Sequence, residues 1–107
     1  MASTAGLRND PYTPYSYTIA KAGVVNFTKQ AAHDLARWNV RVNAIAPGPV
    51  YTDGAASERT TALGATTPMG RAAQPDDITG LVSFLASAKS GYVTGAVLAA
   101  DGGRSAI

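Results

Sequence analysis

Apolar residues recur along this chain in two rhythms. Val24, Phe27, Ala31, Leu35 and Trp38 fall three or four apart. That spacing predicts one apolar stripe on a helix beginning near Tyr15, with Trp38 in the core. Asn39, which tolerates a left-handed backbone, is the expected stop. The period then changes. In VRVNAIAPG, Val40, Val42, Ala44 and Ala46 alternate with Arg41, Asn43 and Ile45. Alternation with β-branched residues predicts a short strand, which Pro47-Gly48 ends.

The helical period returns in QPDDITGLVSFLASAKSG, where Ile78, Leu81, Val82, Leu85 and Ala86 form a dense apolar face. Pro75 suits the first helical position because its missing N–H would be unpaired there anyway. Asp76 and Asp77 set negative charge against the positive end of the helix dipole, which explains them better than a metal site does. Lys89 and Gly91 are the expected close of the helix, and Ala96–Ala100 reads as a second short buried strand. Residues 1–14 read as loop, punctuated by Pro11 and Pro14. Residues 51–70, rich in Thr, Ala, Gly and Ser, read as a long binding loop or lid with a helical turn near Ser57–Leu63.

The order is therefore loop, helix, strand, loop, helix, strand. Strands separated by helices imply parallel pairing through right-handed crossovers, an α/β fold. A parallel pair needs neighbours and cover on both faces. Two strands are too few, so residues 1–107 read as one partial domain, the C-terminal part of a doubly wound, Rossmann-like parallel sheet, incomplete on its own.

Composition narrows the partners. The formal net charge is +2, and no two of the nine Lys and Arg residues are adjacent. A nucleic-acid surface would cluster them, so nucleic acid is not expected. There is no cysteine, hence no disulfide or thiolate metal site. No run approaches transmembrane length and the N-terminus lacks a hydrophobic signal core, so no membrane partner and a cytoplasmic location are expected. His33, the one histidine, sits mid-helix and reads as a surface residue rather than a base or ligand.

The chemistry concentrates in PYSYTIAKAG. Tyr17 and Lys21 are four apart, on one helix face. An ammonium there stabilises a phenolate, which equips a tyrosine for general acid–base work. Tyr12 and Tyr15 have Ser16 and Ile19 at the same offset, so spacing selects Tyr17. About one random chain of this composition in seven holds such a pair, so the pair alone decides little.

Its company decides more. STAG, YTIAKAG, VRVNAIAPGPVYT, PMGRAAQPDDI and YVTGAVLAADGG occur in this order. The set closely resembles the C-terminal part of short-chain dehydrogenase/reductases, from about Ser3 to Gly103. The resemblance implies an NAD(P)-dependent oxidoreductase acting on a carbonyl or alcohol, with NAD or NADP as cofactor. It implies that Tyr17 is the catalytic acid/base, and that Lys21 tunes it and also binds the nicotinamide ribose. Ser3 would hold the substrate oxygen, with Thr4 as the alternative because thirteen residues before the tyrosine is the usual family interval. Pro47, Gly48, Val50 and Thr52 would meet the nicotinamide, and Asp53–Thr67 would close over the substrate. It further implies a homo-oligomer formed through the Tyr17–Trp38 helix.

The family's Gly-x-x-x-Gly-x-Gly phosphate loop does not occur in these 107 residues. Helix N-terminal amides in that loop supply most pyrophosphate recognition. The chain alone is therefore expected to turn over little substrate. A non-enzymatic association module is the competing expectation, since a half domain leaves apolar surface open.

Overall fold

The computed structural model describes residues 1–52 and 57–106. It has three α-helices, α1 (Tyr15–Leu35), α2 (Glu58–Ala65) and α3 (Asp76–Ala86), and two strands, β1 (Ala44–Pro47) and β2 (Val97–Ala100). The strands pair in parallel, with Ala44 opposite Val97 and Pro47 opposite Ala100. The expected α/β architecture is thus present, as the small parallel sheet of a partial domain. A short 3-10 turn, Thr4–Gly6, packs against α1. On the other side of β1, the Ala2 N–H donates to the Ile45 carbonyl at 2.8 Å.

The core is thin. Ala2, Ala44 and Ala46 form its buried cluster, with Val24, Val25 and Val97 against it. The radius of gyration is 14.5 Å. A compact domain of this length would have about 13 Å.

α1 differs from its expected packing by a rotation. Its buried residues are Thr28 and Ala32, while Phe27 is 67% exposed. Trp38, expected in the core, is 58% exposed, with the Arg37 guanidinium 3.8 Å from its ring centroid. The physical reason is twofold. Ala32 faces Gly95, where an added Cβ would stand 3.4 Å from the Ala32 side chain, so the segment before β2 admits only a small residue there. After Leu35 the helix tightens to 3-10 geometry over Ala36–Trp38, which carries Trp38 off the stripe. Asn39 does end it, at φ 58° in the left-handed region. His33 is exposed, as expected.

β1 starts later than the alternation suggests and includes Pro47. Residues 41–43 are joined to the segment before β2 largely through side chains, beside one backbone bond from the Gly95 N–H to the Val42 carbonyl at 2.7 Å. Asn43 donates to the Val93 carbonyl at 2.8 Å and accepts from the Ala96 N–H at 3.0 Å, clamping the start of β2. Arg41 donates to the Leu85 carbonyl at 2.9 Å, tying the end of α3 to the same edge.

The loop after β1 is more ordered than its composition suggests. Val50 bridges Ala73. Ser57 caps α2 by accepting from the Thr60 N–H at 3.0 Å. Thr67 is buried and donates to the Gly64 carbonyl at 2.8 Å. The first part of the expected lid, residues 53–56, lies outside the described residues. α3 begins one residue after Pro75, and its carboxylates act as helix-start groups. Asp77 accepts from the Gln74 N–H at 2.8 Å and pairs with Arg71 at 2.7 Å. α3 also stops at Ala86, before Lys89 and Gly91, and a 3-10 turn over Ala88–Ser90 follows. No helix among the described residues is long and apolar enough to cross a membrane.

Candidate active site

Ligands of open α/β sheets bind beyond the carboxyl ends of the strands. Here that edge is built by Pro47-Gly48. A Cβ on Gly48 would stand 2.8 Å from the Asp101 Cα, so only glycine lets the two strand ends approach this closely. The Gly48 N–H donates to the Ala100 carbonyl at 3.1 Å. Asp101 is held by its own turn. Burial would raise its carboxyl, but hydrogen bonds from Ser105 and from the Gly103 N–H outweigh that and keep it below the ordinary carboxylate range.

Two cavities open above this edge, and Ser3, Tyr17 and Gly48 line both. The larger, about 560 Å³, also has Pro47, Val50 and Thr52 on its wall, with Ile78 and Val82 supplying apolar surface. The smaller, about 340 Å³, is bounded by Asp10, Arg59, Leu63 and Arg104.

Each expected site residue has a definite place. Ser3 caps the 3-10 turn, its Oγ accepting from the Ala5 N–H at 3.2 Å. That use leaves the hydroxyl proton to donate elsewhere. Thr4 is buried inside the turn and reaches only the smaller cavity. Tyr17 stands on the first turn of α1, 42% exposed. The Lys21 Nζ lies 5.5 Å from the Tyr17 ring centroid and donates to the Met1 carbonyl at 3.3 Å. The fold thus brings Ser3, Tyr17, Pro47, Gly48, Val50 and Thr52 around one cavity, with Lys21 beside the tyrosine.

Sequence reasoning missed three residues. Asp10 and Arg104 form a largely enclosed ion pair at 3.3 Å across 94 positions of chain. Arg59, at the start of α2, donates to the Tyr12 carbonyl at 2.9 Å. No periodicity or local spacing links such positions, and Arg59 and Arg104 carried no signal in the sequence. Among the described residues no group of His, Cys, Asp or Glu could hold a metal ion.

A small parallel sheet whose edge carries a tyrosine–lysine helix and a serine-capped turn has the architecture of a partial Rossmann-like α/β domain. A family model described as Enoyl-(Acyl carrier protein) reductase matches residues 1–105. The chain belongs to the short-chain dehydrogenase/reductase family. It is 50% identical over 91 residues to nodulation protein G of Azospirillum brasilense, covering 82% of this chain and 37% of that protein. It is 40% identical over 107 residues to 3-oxoacyl-(acyl-carrier-protein) reductase FabG of Thermotoga maritima, covering 96% and 43%. Among solved structures, a short chain dehydrogenase from Leptospira borgpetersenii with bound NAD+ superimposes with a TM-score of 0.88 at 36% identity, covering 97% of this chain and 42% of that one. The chain therefore spans about two-fifths of the length of these relatives.

Proposed function

We propose that this chain supplies the catalytic half of an NAD(P)-dependent oxidoreductase that interconverts a carbonyl compound and an alcohol. The observation that carries the reading is the convergence of Ser3 and Tyr17, from separate elements, on one cavity at the carboxyl end of β1. Membership of the family and the NAD+-bound neighbour support it.

The larger cavity suits a nicotinamide ring. Its volume falls in the range of small-molecule sites. Its wall pairs apolar Val50 and Val82 with the hydroxyl of Thr52. Val50 and Thr52 would hold the carboxamide, Pro47 and Gly48 would form the floor, and Lys21 would reach the ribose. The cofactor, when bound, supplies or accepts a hydride. Ser3 holds the substrate oxygen through its hydroxyl proton. Tyr17 gives that oxygen a proton during reduction and takes it back during oxidation, while the Lys21 ammonium steadies the phenolate.

These 107 residues by themselves have little activity on this reading, because no Gly-x-x-x-Gly-x-Gly segment is present to bind pyrophosphate. The test joins the phosphate-binding half of a solved relative upstream of Met1 and follows nicotinamide absorbance with simple ketones. The expected result is turnover in the chimera and loss of about 10²-fold or more in Tyr17→Phe. A folded chimera in which Tyr17→Phe reacts as fast as its parent refutes the assignment. Ordinary turnover by the isolated chain refutes the dependence on the other half.

A second reading, an association module, draws on α1. Tyr15, Ile19 and Phe27, at intervals of four or eight residues, are all strongly exposed. A homo-oligomer formed through this helix is compatible with either reading.

A further inference from the structure

The smaller cavity shares Ser3 and Tyr17 with the larger one but differs in charge. Its wall carries three charged groups: Asp10, Arg59 and Arg104. Asp10 and Arg104 neutralise each other at 3.3 Å, both with little exposure. Arg59 has no carboxylate partner among the described residues. The cavity therefore carries one uncompensated positive charge.

That charge is also positioned. Arg59 donates one Nη2 hydrogen bond to the Tyr12 carbonyl. The Tyr12 N–H in turn donates to Asp10 at 3.0 Å, and Thr13 closes the same turn through the Asp10 carbonyl at 3.1 Å. Among the described residues one bond of this five-donor fork is used, so the remaining donors can take a second planar acceptor. The hydroxyl residues Ser3 and Tyr17 line the same cavity.

We propose that the substrate is a keto acid or hydroxy acid whose carboxylate binds Arg59 while its carbonyl or hydroxyl oxygen lies between Ser3 and Tyr17. The inference rests on the oxidoreductase reading for its second half only. Arg59 is a specificity residue that takes no part in proton transfer.

Three ligands separate the two halves: 4-oxopentanoate, its methyl ester and pentanoate. Each is titrated into the isotope-labelled 107-residue chain, with binding read from amide shifts. The expected result is about three- to fivefold tighter binding of the keto acid than of its ester, as a charge-assisted guanidinium pair at an exposed site warrants. Arg59→Gln removes that preference and Arg59→Lys keeps part of it. Raising salt from about 20 to 300 mM narrows it in the parent chain, a check that needs no variant. Equal binding of acid and ester, or a preference that survives both Arg59→Gln and high salt, overturns the proposal. The preference for 4-oxopentanoate over pentanoate tests the other half. If it is absent, or persists in Ser3→Ala and Tyr17→Phe, the oxidoreductase reading fails while the carboxylate site stands.

Discussion

Gly6→Ala tests how the serine-bearing turn is seated on the tyrosine-bearing helix. A Cβ on Gly6 would lie 2.6 Å from both the carbonyl carbon and oxygen of Lys21, and 2.9 Å from the Ala22 nitrogen. These are backbone atoms of α1, so no side chain can swing away. Reaching ordinary contact at 3.4 Å requires the turn and the helix to part by about 0.8 Å. Overpacking of this kind costs about 1–3 kcal/mol, of which roughly 0.4–1 is recovered because alanine stiffens the unfolded chain. A net loss near 1–2 kcal/mol corresponds to a melting temperature lower by roughly 5–15 °C in a domain of about 100 residues.

The assay is thermal unfolding by circular dichroism, with Gly80→Ala as the control. Gly80 lies inside α3, and a Cβ there meets nothing within 4 Å. That change should raise stability by about 0.5–1 kcal/mol, since alanine is the better helix former. In the chimera, the same 0.8 Å displacement of Ser3 from Tyr17 should lower kcat by about 10²-fold. A Gly6→Ala chain that melts at or above the parent temperature refutes the packing argument. So does one that melts lower yet keeps full kcat, because Ser3 would then not depend on this seat.

Two further outcomes follow from named contacts. The side-chain hydrogen bond from Arg71 and the Gln74 N–H lower the Asp77 carboxyl from its ordinary 3.8 to about 2. A folded value below the unfolded one stabilises the fold above about pH 4 and loses that contribution as pH falls through 3.8 towards 2. Asp77→Asn should therefore flatten the melting-temperature profile between about pH 4 and 2, and an unchanged slope there would remove the pair from the acid limb. If α1 forms the oligomer contact, light scattering should give a dimer or larger species, and Ile19→Glu with Phe27→Glu should shift it to monomer without lowering the melting temperature. A parent chain that is already monomeric at tens of micromolar sinks that proposal.

What the sequence made legible is what neighbouring residues decide among themselves. The helical period marks α1 and α3, Asn39 marks the left-handed stop, and Ser57 marks the start of α2. The spacing of Tyr17 and Lys21 is likewise local, and it survives as a cation 5.5 Å from the ring. Burial is not local. Thr28 is buried and Phe27 is not, because the buried face of α1 is set by distant segments such as Gly95, which lies against Ala32. Thr28 can enter because its hydroxyl is satisfied within the helix, by the Val24 carbonyl at 2.8 Å. A stripe read from hydrophobicity alone picks the larger residue and is one position out. The same distinction divides the cavity. The residues assigned to proton transfer sit on or beside one helix, where spacing can find them. Asp10, Arg59 and Arg104 reach the wall from three distant segments, through contacts spanning 47 to 94 positions. The proposed proton transfer thus draws on short-range pattern, whereas the proposed recognition of a carboxylate draws on long-range closure of the chain. If both proposals hold, a chain that kept every motif found here but lost Arg59 would keep the reaction and lose the preference for an acid.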